Sequence, residues 1–299
     1  MPMCFVKGIF FYAASPNMAS VAIRTTSFGV GHLVKLDGKC LLFDPHLEDA
    51  PRTLVHPDHS AWQINWERSE GSAAFSSSTI PPPHVVMASG LDHSQVSHFR
   101  ALQSKMADTV LFAPSKPDLS MLTVKAYHPV DQTSGKAFCL PELNLKIWTW
   151  VGYGHYVIYL VQNTETQRTV CYAPHGLTPA EMEAVGSTTG RIDIYLTAVR
   201  LFALTTCPFN RSFVNFITNP VEAVQVIAKA ARDFRCKYVL PLDDQFENPN
   251  VTFKGLVNCL SNYELIGEWS KIVDDVRNGP ACDDLTMICA APGDPVPLE

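Results

Sequence analysis

The chain has 299 residues, 46% of them apolar and 17% charged, which is ample for a buried core and far from a disordered composition. A formal net charge of −6, with no long Lys/Arg cluster, excludes a nucleic-acid backbone or an anionic membrane surface as partner. Nine cysteines, an odd number without a Cys-x-x-Cys pair, fit reduced thiols in a cytoplasmic protein.

The apolar run Phe5 to Ala14 is too short to span a bilayer and reads as a first strand. Ser20 to Arg24, Gly31 to Leu36 and Lys39 to Phe43 follow as strands. Between the last two lies Asp37-Gly38, a two-residue hairpin turn whose central positions need positive φ. After Asp44-Pro45 comes a polar stretch rich in Pro and Ser, residues 46–83. It is too long for a simple connection and reads as a flap over a site. Val85 to Ala88 is a short buried strand, and Gln95 to Met106 has helical spacing in Val96, Phe99 and Leu102. Thr109 to Ala113 is again a strand. Leu143 to Gln162 reads as two strands broken near Gly152-Tyr153-Gly154, and Arg168 to Ala173 as another.

Thr178-Pro179-Ala180-Glu181 is a capping box: threonine at the N-cap, proline at the first helical position, glutamate at the third. Ile192 to Ala198 is a strand. Leu201 to Asn219 is apolar and irregular, and reads as a long loop. Val221 to Phe234 is a helix with Val221, Val224, Ile227, Ala228, Ala231 and Phe234 on one stripe. Lys237 to Leu240 forms a strand, and Phe253 to Leu265 a closing helix. A meander followed by strand–helix units, given twice, predicts an α/β fold: two mixed sheets back to back, helices on the outer faces. No boundary divides it, so residues 1–299 are read as one domain.

Pro83 to His93 takes a strand into a loop and then a helix. Here the chain resembles the metallo-β-lactamase superfamily, whose junction reads Ser-His-x-His-x-Asp-His. The motifs that carry the resemblance begin with Leu42-Phe43-Asp44-Pro45, Val55-His56-Pro57, Asp92-His93 and Ala113-Pro114. Tyr172-Ala173-Pro174-His175-Gly176 and Tyr238 to Asp244, with Gly255-Leu256, complete them in order along the chain. They look most similar to a divergent fungal group, and they imply the αββα sandwich. They also imply a degenerate zinc site. Asp92 and His93 match the closing pair, but Ala88 and Gly90 stand where the first two zinc histidines belong. His175 falls at the bridging aspartate, the last histidine falls near Leu242 with Asp243 beyond, and His155 can stand in for the middle one.

A tetrahedral zinc site needs three or four ligands at about 2.0–2.3 Å. Asp92, His93, His175 and Asp243 are one remodelled mononuclear set; on ligand count they are better read as hydrogen-bonding residues that no longer hold a metal. Without a metal, Asp92 can fix the tautomer of His93 and raise its basicity, an acid–base pair facing His175 and Asp243. No Gly-x-Ser-x-Gly elbow, P-loop or Gly-x-Gly-x-x-Gly cradle is present. Trp62, Trp66, Trp148, Trp150, Tyr153 and Tyr156 concentrate in the flap and the broken strand, and Phe202, Phe209, Phe213 and Phe216 in the 201–219 segment. Tyr153, His155, Trp62, Phe209 and Phe213 are the expected substrate contacts, suited to a hydrophobic small molecule. The reading is a small-molecule enzyme without cofactor, working by lyase, isomerase or cyclase chemistry, and the resemblance to the fungal group implies natural-product metabolism as its setting. A zinc hydrolase with one metal is the first alternative, and a non-catalytic binding protein the second.

Overall fold

The structure is a computed structural model. It describes residues 21–25, 31–45, 47, 53–55, 62–65, 76–90, 93–114, 122–130, 135–152, 156–174, 176–197, 201–206, 211–214, 220–241, 250–253, 262–266, 285–287 and 296–298. The strand expected at Phe5 to Ala14 lies outside them.

The chain opens with β1 (Val21–Thr25), β2 (His32–Leu36) and β3 (Lys39–Phe43). Asp37 (φ +47°) and Gly38 (φ +82°) make the expected turn between β2 and β3. Then come β4 (Thr53–Val55), β5 (Trp62–Asn65), β6 (Val85–Met87), helix α1 (His93–Leu102), β7 (Val110–Ala113) and β8 (Ala126–Pro129). β9 (Lys136–Leu140), β10 (Leu145–Val151), β11 (Val157–Asn163) and β12 (Thr169–Ala173) form a second run. Helix α2 (Pro179–Thr189) precedes β13 (Ile194–Thr197), β14 (Leu201–Thr206) and β15 (Arg211–Val214). Helix α3 (Pro220–Phe234) leads to β16 (Tyr238–Pro241), β17 (Asn250–Phe253), β18 (Asn262–Ile266), β19 (Thr286–Met287) and β20 (Val296–Leu298).

Two seven-stranded sheets result, in the orders β20-β1-β2-β3-β6-β7-β8 and β19-β16-β13-β12-β11-β10-β9. Each is mixed: antiparallel through β20-β1-β2-β3 and β9-β10-β11-β12, parallel through β3-β6-β7-β8 and β12-β13-β16-β19. Side chains alternate along each strand, and central strands such as β6, β7, β11 and β12 are buried on both faces. Val34, Leu41, Phe43, Val85, Met87 and Phe112 meet Ile147, Tyr159, Val161, Tyr172 and Leu196 between the sheets. On the outer face of the first sheet, Leu42, Val86 and Leu111 pack on Phe99 and Leu102 of α1. On that of the second, Leu160, Cys171 and Tyr195 pack on Met182 and Val185 of α2 and Val226, Ile227 and Phe234 of α3. These are the four layers, helix–sheet–sheet–helix, that the sequence predicts.

The capping box of α2 is present in both directions. Thr178 Oγ1 accepts from the Glu181 N–H at 3.2 Å, and the Thr178 N–H donates to Glu181 Oε2 at 2.7 Å.

Four expectations need correction. The 46–83 segment is not loop throughout: it carries β4 and β5, which pair with β17 as a separate three-stranded sheet. The 201–219 segment is not irregular either, since β14 pairs with β15 and β18. The closing helix over 253–265 is replaced at both of its described ends by strands, β17 and β18. Val251, Thr252, Phe253, Tyr263 and Ile266 favour extended backbone once a partner strand is available, and that partner is far away in sequence. The buried stripe of α3 runs through Ala223, Val226, Ile227, Ala230 and Phe234, with Val224, Ala228 and Ala231 only half-buried at its edge. A stripe over 100° wide leaves its centre ambiguous by one residue.

A histidine clips the parallel pair β3–β6. The His84 N–H donates to Cys40 O at 2.9 Å, and His84 Nδ1 accepts from the Cys40 N–H at 2.9 Å. That acceptor role requires neutral Nδ1. Burial, and secondarily the charge of Lys39, hold the His84 imidazole below its ordinary pKa. A depressed imidazole pKa stabilises the fold fully above the unfolded value near 6.5, and the stabilisation is lost as pH falls through the folded value. The His128 imidazole is held below its ordinary pKa by the same kinds of cause, burial first and then the charge of Lys136. His84→Ala is therefore expected to cost about 1 kcal/mol at pH 8. It should also flatten the fall of the urea midpoint below about pH 6.5. A slope equal to the wild type's would show that the clip does not titrate.

Candidate functional site

The parallel strands β3, β6 and β7 end side by side, the place where open α/β sheets build sites. Asp44 closes β3 in the left-handed region (φ +37°), which aspartate tolerates better than most residues. Its N–H donates to Met87 O at 2.9 Å, tying it to the end of β6. Its buried carboxylate accepts from three donors. The Ser89 N–H reaches Oδ1 at 2.7 Å, the Ser89 hydroxyl reaches Oδ2, and the Tyr172 phenol reaches Oδ2 at 2.7 Å across the sandwich.

Both tyrosines that face this carboxylate are fully buried. Burial raises the Tyr172 phenol well above its ordinary pKa, and the neighbouring Asp44 charge raises it further; the same two causes act on Tyr159. Both remain protonated donors. Tyr159 gives its hydrogen bond to Ala88 O at 2.6 Å, and Phe43 stacks on Tyr172 with ring centroids 4.7 Å apart. A backbone bond completes the junction, from the Val157 N–H of β11 to Ser89 O at 2.7 Å. The loop 88–90 is thus held by both sheets at once. It leads into α1, whose first residue is His93.

Tyr156 covers the last residue of that loop. A Cβ placed on Gly90 would lie 2.8 Å from Tyr156 Cε1 and 3.0 Å from Cδ1. The Tyr156 carbonyl accepts from the Gly152 N–H at 2.8 Å, so the backbone on one side of the ring is fixed there and on the other by Val157.

Of the residues predicted for the site, Asp92, Tyr153, His155, His175, Phe209 and Asp243 lie outside the described residues. For Trp62 on β5, His93 on α1 and Phe213 on β15 the backbone alone is described. The structure therefore brings together a different set: Asp44, Ser89, Tyr156, Tyr159 and Tyr172. Asp44 and Tyr172 were visible as parts of strand-end motifs. Tyr156 was visible only as one of a run of aromatics and Ser89 had no local signal, because the partners of Ser89 and Tyr156 are 45 and 66 positions away.

No family model matches the chain, and no curated protein matches it. Solved structures do. Igni18, a metallo hydrolase from the archaeon Ignicoccus hospitalis, aligns with a TM-score of 0.58 at 12% identity, over 94% of this chain and 99% of its own. YhfI from Bacillus subtilis, described as a metallo-β-lactamase fold protein, aligns with a TM-score of 0.52 at 9% identity, over 93% and 98%. The chain has the metallo-β-lactamase fold.

That fold implies zinc at these strand ends, and the loop 88–90 does not fit it. The methyl group of Ala88 is buried in the outer core with Leu42, Val86 and Phe99, and offers no donor. Gly90 offers none, and the Tyr156 ring stands where its side chain would begin. Among the described residues no three His, Cys, Asp or Glu side chains converge as a ligand set. The four residues of the remodelled set fall outside the described side chains.

Proposed function

We propose that the chain is a small-molecule enzyme on the metallo-β-lactamase fold that works by acid–base catalysis without a metal. Its substrate is a hydrophobic natural-product intermediate, and its reaction an elimination, isomerisation or ring closure. His93 exchanges the proton, Asp92 orients its imidazole, and His175 and Asp243 act from the other side of the pocket. Tyr153, His155, Trp62, Phe209 and Phe213 line the substrate. The observation that carries the reading is the loop 88–90: two places that the resemblance assigns to zinc ligands hold no donor, and one is covered by a tyrosine ring.

The segment 46–83 serves as the flap. Both of its ends are fastened beside α1. The Leu47 N–H donates to buried His98 Nδ1 at 2.9 Å, and Lys105 Nζ donates to the carbonyls of Ser77, Ser78 and Ile80 at 2.6, 2.9 and 2.6 Å. The chain forms a single domain and acts in the cytoplasm; no helix among the described residues is long and apolar enough to cross a membrane.

A second reading is a mononuclear zinc hydrolase that holds its ion with Asp92, His93, His175 and Asp243. The description of Igni18 as a metallo hydrolase supports it. Elemental analysis of protein purified without chelator or added metal separates the two. Well below one zinc per chain, with an unchanged unfolding curve in EDTA, is the expected result. About one zinc per chain, lost in Asp92→Ala or His175→Ala, establishes the hydrolase reading instead. Incubation with fractionated hydrophobic metabolites, followed by mass spectrometry, tests catalysis: turnover by the wild type and none by His93→Ala is expected. Equal turnover by both would refute the role of His93.

A further inference from the structure

We infer that Tyr156 has taken the space of a metal-ligating side chain at position 90 and so closes these strand ends to a second metal ion. The inference rests on the reading above of the loop 88–90, but concerns one contact that is tested separately. A Cβ on Gly90 would approach Tyr156 Cε1 to 2.8 Å, Cδ1 to 3.0 Å and Cζ to 3.6 Å, so the Cδ1–Cε1 side of the ring lies against the glycine. A tyrosine on a free loop would swing away at little cost. This one sits on backbone bonded on both sides, through its own carbonyl to Gly152 and through Val157 to Ser89, which adjoins Gly90.

The second bond is the important one. It ties the base of the ring to the loop that the ring covers, so Tyr156 and Gly90 shift together. Ser89, between Ala88 and Gly90, is held by Asp44 and Val157. An exchange of sizes results: a side chain that would have come from the loop is absent, and one from the β10–β11 turn fills its volume.

The test uses the full-length chain with Gly90→His, Tyr156→Ala and the double variant, each titrated with zinc in competition with a chromophoric chelator. The double variant is expected to bind zinc at least about tenfold more tightly than the wild type, one added imidazole ligand being worth that much. Gly90→His alone is expected to melt at a lower temperature and gain no affinity. If Gly90→His alone melts like the wild type and binds zinc as tightly as the double variant, Tyr156 does not hold that space. A folded double variant without added affinity would show that position 90 is not a ligand position.

Because histidine is bulky, Gly90→Ala is compared in both backgrounds as well. Its fall in melting temperature should be at least halved when residue 156 is alanine. Equal falls would overturn the contact itself. Zinc in the wild type, by contrast, would defeat the metal-free reading while leaving the Gly90–Tyr156 coupling intact.

Discussion

Asp44→Ala is expected to destabilise the chain by about 3–5 kcal/mol, the range seen when one partner of a buried charged network is removed. Three donors lose their acceptor together: the Ser89 N–H, the Ser89 hydroxyl and the Tyr172 phenol. Each orphaned buried donor costs about 1–3 kcal/mol, and the costs are not additive because all three share one carboxylate. The left-handed φ of residue 44 adds to the penalty, since alanine tolerates it less well than aspartate. Asp44→Asn should cost less, about 1–2 kcal/mol. Its amide oxygen can still accept from Ser89 N–H, and both hydroxyls can rotate to accept from the amide nitrogen. Tyr172→Phe, which keeps the stacking on Phe43, isolates a single bond at about 1 kcal/mol. Urea unfolding of the three variants and of Asp44→Ala/Tyr172→Phe measures the series. An Asp44→Ala midpoint within 1 kcal/mol of the wild type would mean that water reaches the donors and that the network does not hold the loop.

This network also marks the limit of what local pattern reveals. The strand runs from Val34 to Phe43, the Asp37-Gly38 turn and the Thr178–Glu181 capping box are legible because each depends on residues within a few positions of one another. The layer order follows from them, since strands buried on both faces require helices outside. The pairing of β14 with β18 is different. Leu201 opposes Ile266 across 65 positions, and no period in either segment names the other. The same holds for the site. Asp44 meets Ser89 and Tyr172 across gaps of 45 and 128 residues, and Gly90 meets Tyr156 only because two sheets close face to face. That positions 88 and 90 offer no donor could be read from the loop alone, because they are alanine and glycine. What packs against them could not.

Gly186→Ala should lower the stability by about 2 kcal/mol, although alanine is the better helix former by about 1 kcal/mol. Gly186 is buried on α2, where the helix crosses α3. A Cβ there would meet Phe234 Cδ2 and Cε2 at 2.4 Å and Cγ at 2.5 Å, well inside contact distance. The ring has little room to retreat. Phe234 is 5% exposed among Val226, Ala230, Tyr195 and Val239, and its carbonyl accepts from the Ile192 N–H at 2.9 Å. Arg235 then turns the chain out of α3 in the left-handed region (φ +55°), which fixes where Phe234 sits. The helices must therefore separate by a few tenths of an ångström, and this overpacking costs about 1–3 kcal/mol beyond the gain in propensity. The melting temperature should fall by about 3 °C. Phe234→Leu, costly by itself, provides the control: on that background Gly186→Ala should be neutral or stabilising, because the ring that it strikes is gone. A Gly186→Ala variant more stable than the wild type with Phe234 intact would show that α2 and α3 are not locked at this crossing, and that propensity outweighs packing there.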